Sequence, residues 1–269
     1  SERTTYTTDP TRISQVLAAS HPDPFGFLGL HESPSGDGMV LRVFRPETSG
    51  VSVVLSDGST VAMECLDPAG FYEAVFSEAK ERFGYELQFL FKSGDSLTFA
   101  DPYSFGPVLG EQDLHFFGEG NHRHLYDCLG AQIREVEGVP GVSFAVWAPN
   151  AHRVSVVGDF NVWDGRVHPM RNHNGTWEIF IPGIGTNEHY KFEIVGAEGN
   201  LFAKSDPFAF FSQHGTQTAS ITYDLSRYLW KDEEWMQKRA EAARYHGPMS
   251  IYEVHLGSWK RRFEEENRI

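Results

Sequence analysis

The feature that most constrains this chain is a long-range echo within it. In the first half, Phe44-Arg45-Pro46 precedes VSVVL (Val51 to Leu55), then GFYEAVF (Gly70 to Phe76), GYELQF (Gly84 to Phe89) and DPYSF (Asp101 to Phe105). In the second, Trp147-Ala148-Pro149 precedes VSVVG (Val154 to Gly158), then GTWEIFI (Gly175 to Ile181), HYKFEI (His189 to Ile194) and DPFAFF (Asp206 to Phe211). Five ordered blocks keep an offset of 103 to 105 residues. A duplicated module explains that constancy; the shared composition of unrelated short β segments does not.

Each copy is rich in Val, Phe, Tyr and Thr, with short apolar runs broken by Gly, Pro, Asn and Asp about every ten residues, which predicts an antiparallel sandwich. The expected fold is therefore mainly β: two tandem immunoglobulin-like β-sandwich modules, residues 1–110 and 111–225. Helices are few. One is expected to start at Asp9 as N-cap, with Pro10 in its first position and Ile13, Val16 and Leu17 on its apolar face. A second, from about Lys231 to Arg244, is acidic at its start and basic at its end, and reads as a linker helix within 226–249. Trp147, Trp177, Phe180 and Phe192 lie in alternating strands and are expected in the core. Asn174-Gly175 forms part of a glycosylation sequon, but the pair is also a favoured hairpin turn, and that reading is preferred.

After the linker comes Met249 to Trp259, MSIYEVHLGSW, a mostly apolar run of strand length that reads as fully buried. Only the charged Lys260 to Ile269 follows. Residues 250–269 are accordingly expected to open a third domain, and the sequence to be a fragment.

A net charge of −14 argues against nucleic acid or an anionic membrane as partner, because both are bound by neutralising phosphates. A neutral polar ligand remains compatible. Two cysteines, Cys65 and Cys128, are too few for a disulfide framework and point to a reducing, cytoplasmic setting. No secretory leader or membrane-spanning run is visible in the sequence.

The turn-like segment GDFNVWDG, Gly158 to Gly165, poses the sharpest chemical question, since it places a Trp among turn-forming residues. An indole on a rigid turn can stack on the apolar face of a pyranose while polar neighbours meet the hydroxyls at the ring edge. Lys191 and Asn161 are candidates for those edge contacts beside Trp163. The alternative is that Trp163 folds inward and caps its own sandwich. His115, His122 and His124 invite a metal reading, but neither Cys nor carboxylate stands at the usual ligand spacing, so no metal and no cofactor is expected. Glu264 to Glu266 read as a solvated helix start, and no catalytic residue is assigned.

DPFGFLGLH (Asp23 to His31), YDCLGA (Tyr126 to Ala131), the long run from Phe144 to Arg171, YKFEI, GNLFAKSDPFAF and SIYEVHLGSW (Ser250 to Trp259) together resemble the bacterial glycogen branching enzymes of the α-amylase (GH13) superfamily. The likeness runs over nearly the whole chain. It implies an N-terminal sandwich, then a carbohydrate-binding module of the CBM48 kind, then a (β/α)8 barrel with Ile251 to Leu256 as first strand. It also implies an activity for the complete protein: cutting an α-1,4-glucan and rejoining the piece through an α-1,6 bond. The Asp and Glu of that retaining chemistry would lie on later barrel strands, so the chain alone is expected to be inactive.

The resemblance further implies α-glucan (glycogen or amylose) and the chain's own barrel as partners, with Trp163 and Lys191 in the glucan platform. One departure stands out. Glycogen-binding modules of the regulatory kind carry a second Trp after the YKF strand, where this chain has Gly196 to Ala203 without one. That implies weaker binding or a role in orienting the barrel. The first copy has only Ser56-Asp57-Gly58 in place of the Trp-bearing turn and reads as structural. Other readings are a free-standing glucan-binding scaffold, or the front of a debranching or trehalose-releasing hydrolase; HLGSW and the doubled module disfavour the latter.

Overall fold

A computed structural model describes residues 8–241 and 247–259. The chain divides into two compact units, residues up to Leu225 and residues from Ser226 onward.

The first unit contains both copies of the repeat, each built from two antiparallel sheets. In the first copy, one sheet runs in the order Gly29–Glu32, Met39–Phe44, Phe71–Phe76, Glu64–Asp67, and the other Thr60–Ala62, Thr48–Leu55, Tyr85–Phe91, Ser96–Ala100. In the second copy, Gly130–Val136, Val139–Trp147, Thr176–Pro182 and Arg171–His173 repeat the first of these orders. The other sheet sets Arg153–Gly158 beside His189–Val195, which pairs on its far side with Leu201–Lys204 and Ser220–Ile221. Even the register repeats: Val53 faces Leu87 as Val156 faces Phe192.

Strand alternation decides what fills each sandwich, because successive side chains point to opposite faces. Leu41, Val43, Val51, Val53, Leu87 and Phe89 meet in one core, and Val142, Phe144, Val146, Val154, Val156 and Phe192 in the other. Alternation also corrects one expectation. Val142, Phe144 and Val146 point inward, which sends Trp147 outward with 61% of its surface exposed. Trp177 and Phe192 are core as expected, while Phe180 is buried on the other side of its sheet, edge-on to Phe105 at 4.8 Å.

The same polar fastenings recur in the two copies. Tyr85 Oη donates to Asp101 Oδ2 at 2.6 Å, and Tyr190 Oη to Asp206 Oδ2 at 2.6 Å. The second oxygen of each carboxylate accepts a backbone N–H two residues on, from Tyr103 and from Phe208. Gly70 and Gly175 sit at equivalent strand entries with φ of +114° and +97°, and a Cβ there would strike Arg45 O and the Pro149 ring.

Outside each sandwich, the leading segment covers one sheet. Helix α1, Pro10–Leu17, is capped by Asp9, whose side chain accepts from Thr11 N, and it lays Ile13 and Val16 against Phe27, Leu28, Phe44 and Phe71. In the second copy α2, Glu111–Glu119, and α3, Leu125–Cys128, bring Leu114, Phe117 and Leu125 to Leu109, Leu129 and Ala145. The Asn174-Gly175 hairpin forms as expected, with φ of +51° and +97°.

In the second unit, α4 spans Glu233–Glu241; the remainder of the expected helix, 242–244, lies outside the described residues. The expected barrel strand is not formed. Ser250 to His255 carries no ladder, Leu256–Trp259 is a helical turn (α5), and Ile251 and Tyr252 are 83% and 72% exposed rather than buried. A barrel strand takes its hydrogen bonds from parallel neighbours, and none pairs with this segment among the described residues.

Burial raises the Asp101 carboxyl to about 6, with the hydrogen bonds from Tyr85 Oη and Tyr103 N opposing the rise only in part. The folded state then holds this proton more tightly than the unfolded chain does, so Asp101 contributes a loss of stability as pH rises from about 4 to 6, on the order of 3 kcal/mol. Relative to Asp101→Asn, the native protein should lose denaturation midpoint across that window and run parallel to the variant above it. Curves parallel throughout would contradict the assignment.

Candidate functional site

The two copies differ where the strand that carries the VSVV block ends. In the first, Ser56-Asp57-Gly58 closes a tight hairpin from Thr48–Leu55 into Thr60–Ala62. In the second no such edge strand follows; the chain makes a 3-10 turn at Asp159–Asn161, continues through Trp163, and touches the sheet again only by an isolated bridge between Ser155 and Pro169. A loop carrying an indole has taken the place of an edge strand.

That loop is held from within. Asn161 is buried, with 2% of its surface exposed. Its Oδ1 accepts from Gly158 N at 2.9 Å, and its Nδ2 lies 2.9 Å from both Val156 O and His168 Nδ1. The expectation that Asn161 meets a ligand is therefore corrected: its amide is fully committed to the loop's own backbone and to His168. Burial drives the His168 imidazole down to about 3, so it stays neutral and can accept from the Asn161 amide. Phe160 packs toward Phe144, with ring centroids 5.8 Å apart, and pins the loop to the core.

Beyond this clamp, Val162 and Trp163 both occupy the left-handed region, at φ +55° and +59°. Two consecutive residues there, one β-branched, store strain that only an over-determined loop sustains. The result is to hold Trp163 outward with 40% of its surface exposed. Its indole is not adrift: Nε1 donates to Asp159 Oδ1 at 3.0 Å, while Asp159 Oδ2 lies 3.0 Å from His189 Nδ1. Asp159 and His189 thus belong to the site, although sequence reasoning passed over them. The signal was present in the spacing, since Asp159 precedes Trp163 by one helical turn.

Lys191 stands on the neighbouring strand, opposite Val157 and one position from the Gly158–Tyr190 pair. Its Nζ donates to Thr218 Oγ1 at 2.8 Å in an exposed setting, which keeps the ammonium at the surface. Close by in the chain, burial and the charge of Asp159 raise the Glu188 carboxyl. Lys191 thus lies on the strand paired with the one that runs into the Trp163 loop.

A cleft of about 870 Å³ opens between the loop from Ala18 to Phe25 and the segment from Pro169 to Asn172. Its arginines are spoken for: Arg153 pairs with Glu193, Arg166 with Asp164, and Arg171 donates to Phe105 O. The three histidines singled out from the sequence do not converge, since His115 pairs with Glu119 and His124 with Asp127. His122 instead meets Asp113 and Cys128, which the fold brings to it although neither stands at a usual ligand spacing in the sequence.

Removing the Asn161 clamp should both unfold and release the loop. Asn161→Ala leaves Gly158 N and Val156 O without their partner, and is expected to cost about 2–3 kcal/mol by denaturant titration. A cost below about 0.5 kcal/mol would show that the clamp holds nothing.

Comparison with known proteins matches a different family over each copy of the repeat. Residues 9–103 match the family described as alpha-1,4-glucan branching enzyme GlgB, N-terminal domain, and residues 128–209 match carbohydrate-binding module 48 (isoamylase N-terminal domain). A 1,4-alpha-glucan branching enzyme GlgB of Rubrobacter xylanophilus is 50% identical over 93% of this chain and 34% of its own length. Those of Myxococcus xanthus and Pseudomonas aeruginosa are 46% and 49% identical, over 95% and 89% of this chain and 35% and 33% of theirs. The chain thus spans about a third of the length of these relatives.

Proposed function

We infer, for a chain that belongs to the 1,4-alpha-glucan branching enzyme GlgB family and carries its N-terminal region, that the second sandwich docks α-glucan on Trp163 and Lys191. The observation that carries this reading is the outward, strained and doubly braced indole. Asp159 fixes its Nε1 edge and Asn161 fixes the loop beneath it, so the ring face is presented without an ordering cost at binding. A glucose ring offers an apolar face to such an indole and hydroxyls to its surroundings. Lys191 Nζ, already hydrogen-bonded to a hydroxyl on Thr218, is suited to exchange that partner for a sugar hydroxyl. The ligand is neutral, which suits a chain of net charge −14 and disfavours nucleic acid or an anionic membrane.

In the whole protein we assign this platform to positioning glucan for a barrel that cleaves an α-1,4 bond and re-forms an α-1,6 branch. The carboxylate pair such chemistry needs is assigned to no residue of this chain, which by itself should leave amylose unchanged. The first sandwich, with a plain hairpin in place of the loop, is read as structural. Residues 250–269 are proposed as the start of that barrel in the whole protein. The free thiols of Cys65 and Cys128 support a cytoplasmic setting, and among the described residues no helix is long and apolar enough to cross a membrane.

The test is retention in a native gel containing glycogen. Trp163→Ala should run several-fold less retarded than the native chain, with a thermal midpoint within about 2 °C of it, as expected for a surface substitution. Lys191→Ala should show a smaller loss. Unchanged retention in Trp163→Ala would overturn the platform, and a large fall in midpoint would show the ring to be part of the core.

A further inference from the structure

We propose that Asp113, His122 and Cys128 form a binding site for one zinc-class divalent cation, separate from the glucan platform. The three side chains come from different pieces of the segment that leads into the second sandwich. Asp113 lies in the first turn of α2; His122 follows the left-handed turn at Gly120 that ends α2; Cys128 is the last residue of α3. The fold returns the chain on itself and brings one donor atom from each within 4.8 Å of the others.

The internal distances suit a tetrahedral ion. His122 Nε2 lies 2.9 Å from Asp113 Oδ1 and 3.7 Å from Cys128 Sγ. Bonds of zinc to oxygen, nitrogen and sulfur imply donor-to-donor edges of about 3.3–3.7 Å, so the two pairs that involve His122 need adjustments of only tenths of an ångström, and the Asp113–Cys128 pair lies within 4.8 Å. The imidazole is held in place: its side chain is 7% exposed, stacked on Phe117 at 4.7 Å and set edge-on to Phe116 at 6.1 Å. Asp113, at 36% exposure, leaves a side open for a water as fourth ligand.

The geometry separates this reading from a nucleophilic triad. In a Cys-His-Asp triad the thiol and the carboxylate meet opposite nitrogens of the imidazole. Here both face Nε2, while Nδ1 accepts the backbone N–H of His124 at 3.1 Å. Three donors turned toward one point are the arrangement of a ligand set. Thiolate with imidazole favours zinc over magnesium or calcium, and one carboxylate with one thiolate balances the charge of a dication.

The protons balance simply. On binding, the Cys128 S–H proton leaves to solvent and its sulfur bonds the metal; the imidazole proton moves from Nε2 to Nδ1. Nδ1 then no longer accepts the His124 N–H, so the exposed turn at Arg123-His124 must shift enough for both N–H groups to donate to water.

The untagged chain, kept reduced, is titrated with Co2+ and Zn2+ alone. One ion per chain should bind, Co2+ should produce a thiolate-to-cobalt charge-transfer band, and Zn2+ should raise the thermal midpoint. Cys128→Ser and His122→Gln should each weaken uptake by more than about tenfold and abolish the midpoint rise, whereas Cys65→Ser should leave both intact. The band isolates the sulfur even if a variant is less stable. No saturable uptake, or uptake that survives Cys128→Ser, overturns the proposal.

Discussion

A buried carboxylate at the same place in each module fastens the leading segment onto its sheet, and the rest of the architecture follows from that fastening. Glu73 and Glu178, 105 residues apart, are 4% and 3% exposed. A carboxylate withdrawn from water is tolerated only when its oxygens are filled. Glu73 meets Arg42 at 3.1 Å and the hydroxyl of Thr8, just ahead of α1. Glu178 meets His173 at 2.7 Å and accepts the backbone N–H groups of Val108 and Leu109, just ahead of α2, at 3.0 Å each. The partners differ in kind, but both copies use the acid to close the outer face of a sheet with the chain that precedes it. The tyrosine–aspartate bond then secures the other end of each module, where the strands finish.

On this doubled frame the two copies have diverged at one edge. The first keeps a short strand there and a turn with no aromatic residue; the second gives up the strand and sets a braced indole in its place. Losing a ladder partner removes hydrogen bonds from Arg153–Gly158 on that side. They are replaced through the loop itself: Val156 N donates to His168 O, Met170 N to Val154 O, and Asn161 Nδ2 to Val156 O. The scaffold thus remains satisfied while a ring is presented outward. Such an arrangement suits ligand contact, since the cost of ordering the loop is met on folding rather than on binding.

What the sequence made legible was mainly periodic or local. The repeat offset, the Asp9 cap before Pro10 and the Asn174-Gly175 turn depend on near neighbours or on pattern, and all appear in the fold. Trp147 was misplaced because its side of the strand is set by parity, and an apolar residue at a strand end satisfies either face by composition. Asn161, a candidate for a sugar-edge contact by sequence, is buried instead, because its partners Val156 and His168 become neighbours only when the loop closes. His122 with Asp113 and Cys128 was invisible for the same reason, their spacing matching no familiar ligand pattern. Ser250 to Trp259 carries a strand's composition, yet backbone pairing is a property of neighbours and not of composition alone.

The central claim is that a pre-set indole, not an exposed aromatic in general, meets the sugar. The chain supplies its own control in Trp147, which is more exposed, at 61% against 40%, but lies on a different sheet. Following the indole N–H resonances of both residues while titrating maltoheptaose tests the distinction directly. The account predicts a saturable shift at Trp163 with Trp147 unmoved; movement of Trp147 alone, or of neither, would contradict it.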